Sequence, residues 1–161
     1  MTAPAPYLLL DVASRAADAG AEVLRHWFRH RDLDIREKSA HDFVTRADRE
    51  SEEAILGIIL DAFPDHGVLA EESGERIGGD DDAPVWIVDP LDGTSNFLQG
   101  LPVFCISIAC RHGDRTLAGL VLDPLRGDRF TATADGGAFH DGRSMRVSQR
   151  PGLHGAFLAT G

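Results

Sequence analysis

Residues 86–97 read WIVDPLDGTSNF. An apolar run from Val85 through Val88 ends abruptly in two carboxylates three positions apart, Asp89 and Asp92, with Pro90 between them and Gly93-Thr94 directly after. The run has the composition of a buried strand, so it delivers both acids to a place where charge is costly unless something positive sits beside it. A second short strand, VLA at 68–70, ends in Glu71-Glu72-Ser73. If the two strands are neighbours, their ends bring Glu71, Asp89 and Asp92 together. Three converging carboxylates repel one another, and hard oxygen donors of this kind suit Mg²⁺ in preference to zinc or copper. Pro90 fixes the turn, so the carbonyl of Leu91 can point inward as a further ligand. Gly93-Thr94 opens a segment, TSNFLQ, whose backbone N–H groups can bind phosphate oxygens as a helix N-terminus does.

Composition agrees with a cation-loaded site. With 26 acids against 16 bases the chain carries a net charge of −10, which argues against nucleic acid as a simple electrostatic partner. The 161 residues, 43% of them hydrophobic, suffice for one large domain with a sizeable core. Lys38 is the single lysine. The N-terminus has only a four-residue apolar run before Asp11 and no basic leader, so the expectation is a cytoplasmic protein with neither signal peptide nor membrane span. Cys105 and Cys110 are five apart in one apolar run, on opposite faces of a strand. They read as buried thiols, unpaired and without zinc-ligand spacing.

The first half of the chain reads as helical. Residues 7–30 and 45–63 carry apolar side chains near helical spacing, the second stretch halted by Pro64. The basic end of the first, RHWFRHR, reads as a solvated helix C-terminus in preference to a nucleic-acid patch. After Gly67 the period changes to strands: VLA, VWIVD, VFCISIACR, TLAGLVLD, RFTATA and MRVS, separated by short turn sequences. Helices first and strands afterwards predict an α+β fold, two helices covering one face of an antiparallel sheet. Residues 74–82, GERIGGDDD, read as a mobile acidic loop.

Two lookalikes fail. A Ca²⁺-binding EF-hand loop needs acids at alternating positions and a distal Glu in register, which DPLDGT lacks. A haloacid-dehalogenase-type phosphatase would show DxDGT, one residue shorter. What the chain does resemble, through KSAHDFVTRAD (38–48), FPDHGVLAEES (63–73), WIVDPLDGTSNF and GLVLDPLRGDRFTATADGGAFHDGRSMRVS (119–148), is the inositol monophosphatase family, especially its bacterial SuhB-type members. The resemblance runs over nearly the whole chain, with the motifs in the family's order.

It implies the first part of a layered αβαβα sandwich and a Mg²⁺-dependent phosphomonoesterase acting on inositol monophosphate, with two or three ions in the complete site. By position, Glu71, Asp89, the Leu91 carbonyl and Asp92 match the family's metal ligands. Gly93 and Thr94 match its phosphate contacts, beside Glu71, Leu91 and Asp92 on the substrate side. Asp48 matches the acid that backs the threonine hydroxyl, so that Glu71, Thr94 and Asp48 position an attacking water. Lys38 matches a lysine near the metals, although a solvated lysine reads equally well. The alternatives are a same-fold phosphatase for histidinol phosphate, fructose bisphosphate or a 3′-phosphonucleotide, or a regulatory protein bound to the transcription machinery. A homodimer is expected. The family continues into a second α/β domain whose Asp completes the second metal site; that domain is expected to be missing from residues 1–161, which end at LATG.

Overall fold

The computed structural model describes residues 4–30, 33–34, 36–39, 42–71, 76–80 and 82–158, with backbone alone at 36–39, 42–43 and 76–77. The Lys38 side chain, Glu72, Ser73 and part of the acidic loop lie outside the described residues.

Helix α1 spans Pro6–Trp27, and Pro6 suits its first turn because the N–H it lacks would have no partner there. Leu9, Val12, Ala13, Ala16, Ala17, Gly20, Ala21 and Leu24 recur at helical spacing and form its buried stripe. The helix stops short of the expected His30, because Phe28 turns extended and Arg29 takes a φ of 66°. Its basic end is solvated, as expected, with Arg25, His26, Arg29 and His30 all exposed, while two bonds tie the last turn to the rest of the protein. Arg25 Nη1 donates to the Pro124 carbonyl at 3.0 Å, and Trp27 Nε1 donates to Glu50 Oε2 at 2.7 Å.

Strands β1 (Arg36–Ser39) and β2 (Asp42–Val44) make a small antiparallel hairpin, polar enough to escape a search for apolar alternation. Helix α2, Arg46–Ala62, begins on a capping box. The Thr45 hydroxyl accepts from the N–H of Ala47 and Asp48, while the Asp48 carboxylate accepts from the Thr45 N–H at 2.9 Å. At the crossing of the two helices a Cβ on Gly20 would lie 2.8 Å from Ile55 Cδ1 and from Ser51 Oγ, so this close approach requires glycine.

The remainder is β3 (Gly67–Ala70), β4 (Arg76–Ile77), β5 (Val85–Asp92), the short helix α3 (Thr94–Leu98), β6 (Cys105–His112), β7 (Arg115–Leu122), β8 (Arg129–Thr133), β9 (Gly137–His140) and β10 (Arg143–Met145). Among the described residues these strands form one eight-stranded sheet, ordered β10-β9-β8-β7-β6-β5-β3-β4. Its neighbours run antiparallel, as expected, except for the parallel pair β3–β5. Such a pair cannot be joined by a tight hairpin, and β4, which lies between β3 and β5 in the chain, pairs on the outer edge of β3.

Helices α1 and α2 cover one face of the sheet, α1 across β6, β7 and β8 and α2 against β5. Trp86, Val88, Ile106, Ile108, Cys110, Leu120 and Leu122 are buried beneath them. Trp86 is anchored by its indole, which donates to His66 Nδ1 at 3.0 Å. On the opposite face Leu69, Ile87, Val121, Phe130 and Met145 remain 37–43% exposed. The two cysteines are free and lie on opposite faces of β6, Cys110 buried and Cys105 half-buried.

Candidate active site

Strands β3 and β5 pair with Leu69 beside Ile87 and Ala70 beside Val88, so their C-terminal ends emerge together. The Glu71 N–H extends the ladder by donating to the Val88 carbonyl at 3.1 Å. Glu71 and Asp89 come within hydrogen-bond reach. Burial first, and then the bond to Glu71 and its charge, push the Asp89 carboxyl up to about 7, with Asp92 adding a smaller repulsion. The Leu91 N–H works the other way, donating to Asp89 Oδ1 at 3.1 Å.

Beyond Asp89 the β5–β6 register slips before Asp92. Pro90 has no N–H to give the ladder, so the strand bulges there and aims its carbonyls out of the sheet. The Pro90 carbonyl accepts from Ser51 Oγ of α2 at 3.1 Å, and the Leu91 carbonyl accepts from Thr94 Oγ1 at 3.1 Å. Asp92 faces Cys105 across the ladder, and the thiol donates to Asp92 Oδ2 at 3.5 Å. Burial, reinforced by the Asp92 charge, pushes this thiol up to about 12, which keeps it protonated and a donor.

Thr94 Oγ1 also lies 3.1 Å from Asp48 Oδ1. A hydroxyl has one proton, so Thr94 serves Asp48 or the Leu91 carbonyl, one at a time. Asp48 is 1% exposed, and burial raises its pKa against the bonds from Thr45 and Thr94 that lower it. Its second oxygen also meets the Thr45 hydroxyl. The carboxylate that starts α2 therefore also reaches the loop after β5. Gly93 joins strand to helix at a φ of 99°, and a Cβ there would sit 3.1 Å from the Val103 carbonyl. Both facts demand glycine. Glu71 and Asp89 open onto a hollow of about 420 Å³ on the uncovered sheet face, walled by Leu69, Ile87, Ser107 and Ala109.

The structure thus gathers Glu71, Asp89, Leu91, Asp92, Gly93, Thr94 and Asp48 around the end of β5. Sequence reasoning missed Ser51 and Cys105, which enter through tertiary contact. The cross-strand partner of Asp92 could have been found only from the β5–β6 register.

A layered α+β protein whose sheet gathers acids and a threonine at one strand end is a recognisable class. The chain belongs to the inositol monophosphatase family, whose sequence profile matches residues 7–161. It is 41% identical over 155 residues to the protein named Nus factor SuhB in Pseudomonas aeruginosa, and 44% identical over 154 residues to that of Pasteurella multocida. In each case the alignment covers 95% of this chain and 57% of the relative, so the chain spans little more than half the length of the curated relatives it matches. Among solved structures, the native extragenic suppressor protein suhB from Bartonella henselae superposes with a TM-score of 0.84 at 39% identity, covering 89% of this chain and 55% of that one. The inositol monophosphatase from Anabaena (Nostoc) sp. PCC 7120 gives 0.77 at 35% identity, covering 91% and 52%. No helix among the described residues is long and apolar enough to cross a membrane.

Proposed function

We propose that residues 1–161 carry the metal-binding part of a Mg²⁺-dependent phosphomonoesterase whose substrate is inositol monophosphate. The observation that supports this reading is the meeting of Glu71 and Asp89 at the paired ends of β3 and β5, where burial and two negative neighbours, Glu71 and Asp92, push the Asp89 carboxyl up to about 7. A group so placed weakens the fold unless a cation joins it. The donors at hand are carboxylates and a backbone carbonyl, the hard oxygens that Mg²⁺ takes. Glu71, Asp89, Asp92 and the Leu91 carbonyl would hold it. When bound, Mg²⁺ supplies Lewis acidity, acidifying water and screening phosphoryl charge.

The chain's own groups do the rest. With the Leu91 carbonyl committed as a ligand, the single Thr94 proton would be directed to Asp48, which leaves the Thr94 oxygen to accept a hydrogen bond from a water. Glu71 would accept the hydrogen bond from that water's second O–H, and the two fix its orientation for in-line attack on phosphorus. The Gly93 and Thr94 N–H groups face the phosphate oxygens. Asp48, held by Thr45 at the start of α2, sets the direction of the Thr94 hydroxyl.

Phosphate release from a panel of phosphomonoesters, with and without Mg²⁺, tests the proposal and separates the alternative substrates. In a version that carries the family's second domain, inositol monophosphate should be hydrolysed only with Mg²⁺, and Asp89→Asn should remove most of that turnover. Turnover within a few-fold of the original in Asp89→Asn would overturn the ligand assignment. A second reading, association with the transcription machinery, is favoured by the relatives named Nus factor SuhB. It predicts capture of transcription-complex proteins that survives Asp89→Asn.

A further inference from the structure

Three to four strands away from Asp89, at the same end of the sheet, a second set of ligand-type atoms converges. Asp128 Oδ1 and Asp141 Oδ2 approach one ring nitrogen, His140 Nε2, at 3.1 Å and 3.3 Å, and the three ligand atoms all lie within 4.8 Å of one another. We propose that Asp128, His140 and Asp141 form a separate site for a divalent transition ion of the zinc type, with His140 Nε2 and one oxygen from each aspartate as ligands and water completing the shell.

Each ligand is held by the hairpin before any ion arrives. Phe130 pairs with His140 across β8–β9, and their rings stack at 4.4 Å and 9°, which fixes the plane of the imidazole. Asp141 is locked to Arg129 twice: its N–H donates to the Arg129 carbonyl at 2.9 Å, and its Oδ1 accepts the Arg129 N–H at 2.9 Å. That leaves Oδ2 for the ring nitrogen. The Asp128 carbonyl accepts the Asp123 N–H at 3.0 Å, which seats the residue in the β7–β8 turn.

The spacing fits an ion better than a proton. A single N–H shared between two carboxylates bonds neither well, whereas a tetrahedral ion with bonds of about 2.0–2.1 Å sets its ligand atoms roughly 3.3 Å apart, close to the two nitrogen–oxygen distances here. The Arg129 guanidinium does not neutralise the pair, since it reaches away to Asp18 Oδ1 at 2.5 Å and to the Ser14 carbonyl at 3.3 Å on α1. An imidazole nitrogen beside two carboxylates selects zinc-type ions over Mg²⁺, the reverse of the all-oxygen set at Asp89. Three to four inter-strand spacings put the two sites roughly 14–19 Å apart, too far to share a ligand. The inference does not depend on the proposed phosphatase activity.

The test is a Co²⁺ titration of the full chain in an Asp89→Asn/Asp92→Asn background with excess Mg²⁺, read by visible d–d absorption, alongside thermal melts with Zn²⁺. One equivalent of Co²⁺ should bind, His140→Ala should abolish the signal, and Zn²⁺ should raise the melting temperature only while His140 is present. Asp141→Asn keeps the left-handed turn, in which Asp141 has a φ of 48°, and removes one charge, so Co²⁺ affinity should fall tenfold or more. Titrations of the background protein and of His140→Ala that coincide, or an Asp141→Asn affinity that is unchanged, would overturn the site. The second result decides the matter even if His140→Ala fails to fold.

Discussion

The two halves of β5 obey opposite rules. From Val85 to Val88 the strand is regular, paired on both sides and apolar, with Trp86 and Val88 buried under the helices. From Asp89 to Asp92 the register slips, two acids appear, and burial beside Glu71 pushes the first of them up to about 7. The first half stabilises the fold through packing. The second stores unfavourable charge beside a strand that could have continued as alternating valine and isoleucine. Adjacent residues of one strand therefore answer to different constraints, and each half should respond differently to substitution.

The largest effect expected lies in the first half. Trp86→Ala removes a fully buried indole and its bond to His66, so it should cost about 3–5 kcal/mol in denaturant unfolding. A loss under about 1 kcal/mol would erase the contrast. Next comes the loop that the second half feeds: Thr94→Ala should leave stability nearly unchanged and lower kcat about 10²-fold, with little change in Mg²⁺ affinity. A pure loss of metal affinity would move Thr94 from positioning water to holding the ion. Smaller still is the effect of Asp89→Asn on the cation-free protein. The folded pKa of Asp89 lies above its unfolded value of 3.8, so its stabilising contribution is complete below that value and disappears as pH rises through about 7. The asparagine variant should therefore melt with the parent near pH 4 and a few degrees above it at pH 8. Equal melting temperatures at both would mean the carboxylate is not strained. Ile87→Ala should matter least, under about 1 kcal/mol, because Ile87 is 38% exposed on the uncovered face. A cost as large as that of Trp86→Ala would show that this face is covered in solution.

The sequence made β5 legible because its apolar run and its acids sit next to each other in the chain. The helix over 45–63 was equally plain, since apolar residues at helical spacing and a stop at Pro64 are local patterns. What remained hidden depends on pairing. β9 is only GAFH between two turn sequences, too short for alternation to show, and β1–β2 carry almost no apolar signal. The meeting of Glu71 and Asp89 depends on the parallel β3–β5 pair. Residue pattern could state that pairing only as a condition, because strand order is a long-range property. Asp128, His140 and Asp141 read in the sequence as ordinary turn residues: they are gathered by β8–β9 pairing and not by any ligand spacing.

The arginines that tie α1 to the sheet also have a meaning in time. Arg25 bonds the Pro124 carbonyl 99 residues downstream, and Arg129 reaches back 115 and 111 residues to Ser14 and Asp18. A ribosome makes α1 before the strands it rests on, which follow about a hundred residues later. Until β6, β7 and β8 emerge, the stripe of Leu9, Val12, Ala16 and Leu24 has α2 as a partner but no sheet to lie on. Large loops must close before these contacts form, which slows folding relative to a helical protein of equal length. Helix α1, made well before its sheet, is thus among the last elements to be fastened, and through that interval the nascent chain carries an exposed apolar helix pair, the kind of surface that chaperones bind.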